Sequence, residues 1–368
     1  LHPRVRRQRQ MCIRDSKLLI PLKTKKFLLI SHELTNTGAP RALLNFARTI
    51  KEIGASVYVI TLEDGELKSE FIKAQIPVLH LSYKKIKFLL PIICLFPIVI
   101  CNTIITFKIV YLLQKYKKNV FWWTHEAQFL NEYLDNINER SRKTLLKTLN
   151  DCKHLFCVSE YSANYFKKYN SSAKILKVSI EDKFDKKQHI LQQPNNKKTI
   201  VYVGEVIPLK GQDIFIDYFN SLPQALKDKY EVKFVGRLCN KAYHKELLEK
   251  IKDHKNFEFI GNLSHSKTLE IIANSDIFAL LSRGDSFSIA TAEALMMNKP
   301  VIISENVGIA PIIETEFCGK IIKNKEEFCN LFEKIDNINF NSPRETFLKN
   351  FSSVAYKHYL QDIFKQYL

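Results

Sequence analysis

Short apolar runs alternate along this chain with stretches whose apolar residues recur every three or four positions. Lys26 to Ser31 (KFLLIS) is the first such run, and from Pro40 to Ile53 the positions Ala42, Leu43, Phe46, Ala47 and Ile50 share one helical face. Gly54 closes that helix, and Ser56 to Leu62 (SVYVITL) reads as a second buried strand. Strand, helix, glycine, strand is the grammar of a parallel sheet. It continues at 97–103 (PIVICNT), 120–126 (VFWWTHE) and 154–160 (HLFCVSE).

Around 181–198 the apolar periodicity lapses and polar residues dominate, as in an interdomain linker. A second alternating series follows: TIVYVGE, a helix after Gly211, EVKFVGR, FEFIGNL, DIFALLS, a helix after Ser288, and PVIIS. The predicted fold is α/β, with two Rossmann-like doubly wound parallel-sheet domains facing across a cleft at the C-terminal ends of their strands. The boundaries expected are 17–180 and 199–341 for the domains, with a helical stretch over 342–368 packing across them. At 368 residues the chain is long enough for both cores.

Residues 88–105 (FLLPIICLFPIVICNTII) raise the question of a membrane span. Pro91 and Pro97 interrupt the run, and its uncharged apolar part, 88–101, falls short of the ~20 residues a span needs. A short helix followed by a buried strand is expected instead. No secretory signal is read, because LLIPL near the start lacks the length and cleavage site of one. The first sixteen residues resemble nothing that opens a fold. Their MCIRDS is what a sequencing adapter yields on translation, so 1–16 reads as a non-native scar.

Charge narrows the class of partner. The chain carries 56 Lys and Arg against 38 Asp and Glu, a formal net charge of +18, and stays strongly basic without the first sixteen residues. Anionic ligands are therefore expected. The positive residues are scattered and the aromatics fall in apolar strand and helix patterns, which argues against nucleic acid. Eight cysteines without a C-x-x-C pair, and no His cluster at ligand spacing, point to buried thiols in a reducing, cytoplasmic setting and to no metal.

Three loops carry candidate chemistry. In LTNTGAPR (34–41), Gly38 lets the chain approach a ligand closely and Pro40 suits the first turn of a helix whose free amides attract anions. In VGEVIPLKGQD (203–213), Lys210 and Gly211 stand before a helix, where an ammonium and backbone amides could hold a diphosphate. In SRGDSFSIATAEAL (282–295), Asp285 lies on the loop after a strand and Glu293 along the next helix, two carboxylates able to accept from vicinal sugar hydroxyls. Ordinary turns and solvated charges would account for each loop taken alone. His125 and the pair His32–Glu33 end strands as polar residues, and Trp122 and Trp123 read as one core and one cleft-facing residue.

Together these pieces resemble the GT-B glycosyltransferases of family 4, the glycosyl transferases group 1, over about 27–364. The most specific is the family's E-x7-E signature with its following G-x-P-V-I, here Asp285-x7-Glu293 and Asn298-Lys299-Pro300-Val301-Ile302. TGAPRALLNFA (37–47), WWTHEA (122–127), CVSEYSA (157–163), VGEVIPLKGQD and SENVG (304–308) support it. The resemblance implies an N-terminal acceptor domain and a C-terminal nucleotide-sugar domain. It implies a retaining, metal-independent transfer, without cofactor, from a UDP- or GDP-type sugar to a glycan or lipid-linked acceptor.

By that resemblance Glu293 holds the ribose, Asp285 the donor sugar and Lys210 the diphosphate. Gly38 lies near the phosphates, and His125 near the reacting centre. Gly211, Ser286, Phe287, Ser288 and Ile289 complete the donor site. Glu205 stands where the family has Arg, so Arg237 or Arg283 would substitute. Ser288 and Asn298 each replace a family glycine, and Asp285 is one methylene shorter than the usual Glu. The implied setting is bacterial surface polysaccharide or lipopolysaccharide synthesis on the cytoplasmic face of the membrane, where the basic body and the apolar, Lys-flanked segment 83–105 would suit peripheral contact with anionic lipid. Two alternatives stay open at this point: a catalytically silent partner subunit and a GT-B sugar-nucleotide epimerase.

Overall fold

The computed structural model describes residues 25–127, 129–185 and 197–365; the stretch 1–16 read as a scar and most of the stretch 181–198 read as a linker lie outside them. The chain divides into two compact units, one running to Glu181 and resuming at Ser352, the other spanning Asp182–Phe351.

The first unit holds a seven-stranded parallel sheet in the order β3-β2-β1-β4-β5-β6-β7. Its strands are β1 (Lys26–Ser31), β2 (Ser56–Thr61), β3 (Val78–His80), β4 (Ile98–Asn102), β5 (Phe121–Thr124), β6 (His154–Cys157) and β7 (Lys174–Ile175). The second unit holds a six-stranded parallel sheet in the order β10-β9-β8-β11-β12-β13. These are β8 (Lys198–Val203), β9 (Tyr230–Val235), β10 (Phe257–Gly261), β11 (Ile277–Leu280), β12 (Val301–Ser304) and β13 (Gly319–Ile322). Both orders are doubly wound, as the periodicity predicts. Each reverses once, between β1 and β4 and between β8 and β11, and loops part at such a point to leave a crevice at the strands' C-terminal ends.

Central strands run apolar without alternation because helices cover both faces of each sheet. β4 and β5 are buried at every position, and the helix Gly38–Glu52 lays Leu43, Phe46, Ala47 and Ile50 onto the first sheet. Trp122 and Trp123 are both wholly buried, which corrects the expectation that one would line a cleft. Their indole N–H groups donate to the carbonyls of Thr103 and Leu176, at 2.8 and 3.1 Å. Satisfied that way, each ring adds ~2 kcal/mol or more of apolar burial.

The 83–105 stretch resolves into helices Tyr83–Phe88 and Leu90–Ile93 followed by β4. Among the described residues no helix is long and apolar enough to cross a membrane. The C-terminal stretch forms two helices. Pro343–Asn350 belongs to the second unit, where Phe347 and Phe287 pack on Phe351; Ser353–Lys365 returns to the first, where Phe364 packs edge-on to Phe27 and Phe46.

Candidate functional site

In the second unit the loop after β8 and the loop after β11 meet at the reversal of the sheet. Lys210 comes from the first and Asp285 from the second, and Lys210 Nζ lies 2.6 Å from Asp285 Oδ2. Buried Tyr202 fixes the backbone beneath them: its hydroxyl donates to the Lys210 carbonyl and accepts from the Leu281 amide. Ser282 Oγ donates to the Leu209 carbonyl at 2.9 Å, and the Arg283 amide donates to the same oxygen at 2.8 Å. Gly211 ends the first loop with φ of 69°, and a Cβ there would lie 2.0 Å from the Leu281 carbonyl oxygen. Only glycine permits so close an approach in that conformation.

Asp285 has a second task. Its Oδ1 accepts from the amides of Ser288 at 2.8 Å and Phe287 at 3.3 Å, just ahead of the helix Ile289–Met296. Its own backbone is clasped by the loop after β12, with its amide donating to Asn306 and its carbonyl accepting from Gly308. Ser288 caps the helix, accepting from the Thr291 amide, from a left-handed backbone at φ 67°. Asn298, the other residue standing for a family glycine, also has positive φ, 58°. Both departures from the family pattern therefore occupy positions where glycine is the unstrained choice. Phe287 turns inward onto Phe351, while Ser286 and Ile289 stay partly exposed beside it.

Glu293, five residues into that helix, is only 6% exposed. Its Oε1 lies 2.6 Å from Nε2 of His265, the first residue of the helix after β10. The sequence reading missed His265, which sits in no motif and reaches Glu293 only through the sheet order. The eight-residue spacing of the acids thus has a structural meaning. The first acid closes the front of the helix and grips Lys210; the second lies inside it and is gripped by His265.

The two arginines expected to strengthen a phosphate clamp are paired within the unit. Arg283 makes a double bond of charge to Asp213, Nη1 to Oδ1 at 2.8 Å and Nη2 to Oδ2 at 2.6 Å. Tyr243 adds a hydroxyl to Asp213 Oδ1 at 2.6 Å. Burial raises the Asp213 pKa, but Arg283 and Tyr243 outweigh it and hold the carboxyl below the usual range. Burial, and then this carboxylate, push the Tyr243 phenol well up. Arg237 lies 2.6 Å from Glu205, so the acid found where the family has Arg is matched by an arginine from the neighbouring turn.

The first unit shows a parallel arrangement at its own reversal. His32, after β1, has Nδ1 2.8 Å from the hydroxyl of Thr103, after β4. Thr103 holds φ 71° and ψ 159°, a costly conformation for a β-branched residue. Its carbonyl accepts from Trp122 Nε1 and Thr106 Oγ1, which keep it there. Glu33 lies 3.4 Å from His32 Nε2, and Gly38 opens the helix Gly38–Glu52 on the exposed side of the same loop.

His125 follows β5 with its ring 4.6 Å from that of Trp123. The residue is only partly covered, yet its Nε2 is shut off from solvent and has no hydrogen-bond partner. Burial, and the charge of nearby His32, push its pKa down to about 3. Glu126 Oε2 accepts from the amides of His125 at 2.9 Å and Ile104 at 3.1 Å, tying the loop after β5 to the one after β4. Burial raises this carboxyl to about 7 despite those bonds. Glu126 and Thr103 were not singled out from the sequence. Among the described residues no three His, Cys, Asp or Glu side chains cluster as a metal site would require.

Comparisons with known proteins identify the family and the fold. Residues 23–194 match the family described as Glycosyl-transferase family 4, and residues 183–352 match Glycosyl transferases group 1. The fold class is the two-domain GT-B class, and the chain belongs to the group 1, family 4 glycosyltransferases. A probable sucrose-phosphate synthase of Thermosipho melanesiensis is 28% identical over 181 residues, 47% of this chain and 41% of that protein. An uncharacterized glycosyltransferase of Methanocaldococcus jannaschii is 24% identical over 223 residues, 55% of this chain and 61% of that one. The chain thus spans less than two thirds of either relative. Among solved structures, HepE of Anabaena in complex with UDP and glucose superposes with a TM-score of 0.75 at 15% identity, covering 93% of this chain and all of that one.

Proposed function

We propose that this chain transfers a sugar, with retention at the anomeric carbon, from a UDP- or GDP-type sugar to a hydroxyl of a glycan or lipid-linked acceptor. The setting we infer is bacterial surface polysaccharide or lipopolysaccharide assembly at the cytoplasmic face of a membrane. The observation that carries the reading is the Lys210–Asp285 pair at the reversal of the second sheet, with Glu293 held by His265 on the adjoining helix. UDP is the first nucleotide to try, since it is the one bound in HepE.

In the reaction the bond from the anomeric carbon to the diphosphate oxygen breaks, and its electron pair leaves with the diphosphate. Lys210 meets that developing charge, aided by the amides that open the helix Ile289–Met296. Asp285 turns from the ammonium toward hydroxyls of the donor sugar, and Glu293 accepts from the ribose diol. The acceptor oxygen bonds to the anomeric carbon, and its proton passes to the departing phosphate oxygen. His125, with its pKa pushed to about 3, stays a neutral imidazole on the acceptor side and adds no positive charge beside the forming oxocarbenium. No metal or cofactor is required by this scheme.

The test is a panel of UDP-, GDP- and ADP-sugars scored by thermal shift and by radiolabel transfer, beside Glu293→Ala. One nucleotide should stabilise the parent and not the variant, and NMR of the product should give the donor's anomeric configuration. A flat profile across the panel would refute the reading.

A further inference from the structure

The first unit carries an apolar and basic surface at the opposite end of its sheet from His32, Thr103 and His125. Between Glu70 and Glu126 the chain has eight lysines and neither an acid nor an arginine. Within it, Phe88 is 84% exposed, Leu95 80%, and Ile92 and Tyr116 57% each. Large side chains so bare, on neighbouring turns, are costly in water and mark a surface that is covered in use.

Beside them lies a cavity of about 520 Å³ lined by Lys115, Lys117, Lys118, Lys147 and Lys153, with Asp151 as its only carboxylate. The two features form one surface. Lys118, from the cavity wall, donates through Nζ to the carbonyls of Cys94 and Phe96, the residues flanking Leu95. The sheet order explains the meeting. Residues 88–97 precede β4, 115–120 precede β5 and 151–153 precede β6, and these three parallel strands are neighbours, so all three approaches emerge at the N-terminal edge. Lys118 is bonded to those backbone carbonyls, and none of the cavity's lysines is ion-paired with a carboxylate among the described residues.

We propose that this face docks on an anionic lipid surface, with Phe88, Ile92 and Leu95 entering the headgroup and acyl boundary and the lysine cavity taking lipid phosphates. Charge complementarity selects the occupant: a basic rim around bare apolar tips fits a negatively charged bilayer. An acidic protein would engage the lysines without needing the protruding tips, and a second copy of this basic chain would repel them. The proposal deepens the reading that the enzyme works beside a membrane, and it does not depend on which sugar is moved.

The experiment is flotation of the full chain with vesicles of phosphatidylcholine, alone or mixed with phosphatidylglycerol. The parent is expected to float only with the anionic vesicles. Phe88→Ser with Leu95→Ser, and separately Lys115→Glu with Lys117→Glu and Lys147→Glu, should each weaken binding about tenfold or more. Nucleotide-induced thermal stabilisation, which reports the second unit, should survive in both, so a lipid failure and a donor-site failure are told apart. Equal binding to both vesicle types, or undiminished binding by either variant, would overturn the proposal. So would a concentration-dependent dimer that the serine variant abolishes and vesicles leave unchanged.

Discussion

Lys210 and Asp285 form a 2.6 Å ion pair between the loops after β8 and β11, at the reversal of the second sheet. Thr103 and His32 meet at 2.8 Å at the matching place in the first sheet. In both units the reversal places two chemically active side chains, from distant parts of the sequence, against each other.

The ion pair predicts opposite effects on binding and turnover. Asp285→Asn keeps an acceptor for the Ser288 amide but frees Lys210, so nucleoside diphosphate should bind as tightly or more tightly. Sugar transfer should nevertheless fall about a hundredfold. Lys210→Ala should weaken nucleotide binding and lower stability by ~1–2 kcal/mol, because Asp285 is left partly buried without its cation. Calorimetric binding and initial rates check both, and an unchanged rate in Asp285→Asn would remove that residue from the chemistry.

His265 is expected to act through Glu293. His265→Ala should weaken UDP binding by about fivefold to tenfold, the loss of one charge-assisted hydrogen bond. Binding of free pyrophosphate should be untouched, since Glu293 addresses the ribose. If pyrophosphate weakens equally, His265 supports the whole loop and not the Glu293 carboxylate.

His125 and Glu126 predict pH dependences of opposite sign. His125 has its folded pKa lowered to about 3 from 6.5, so its contribution to stability is present above pH 6.5 and is lost as pH falls toward 3. Glu126 has its folded pKa raised to about 7 from 4.5, so its contribution is present below pH 4.5 and is lost as pH rises toward 7. In the parent the slopes oppose each other between pH 4.5 and 6.5. Glu126→Gln should expose a melting temperature that drops on acidification, and His125→Asn one that drops toward neutrality. The slope in each is at most about 1.4 kcal/mol per pH unit. Parallel profiles for the two variants would contradict the assignment.

Backbone conformation gives a third contrast. Ser288→Gly relieves a left-handed residue while losing a cap, and the two effects, each ~1 kcal/mol or less, should leave stability within about 1 kcal/mol of the parent. Asn298→Gly should be similarly mild, since asparagine already tolerates that region. Gly211→Ala meets a carbonyl at 2.0 Å and should cost well over ~2 kcal/mol or abolish folding. Thermal melts of the three variants decide the order.

The period of the apolar positions determined the fold class, because a buried parallel strand must be continuously apolar and a covering helix must show one apolar face. The motifs determined where loops with Gly38, Lys210, Asp285 and Glu293 would fall, since those residues stand just after such strands. What the sequence could not determine is which charges pair. Arg283 could be read as a free cation until the structure placed Asp213 and Tyr243 against it, and His265 lies 28 residues from the Glu293 it holds. Trp123 could be assigned to a cleft until β7 closed over that side of β6 and gave its indole the Leu176 carbonyl. Periodicity is local and survives in one dimension. Ion pairing, strain and burial depend on which strands become neighbours, and that order was decided by the packing of the whole sheet.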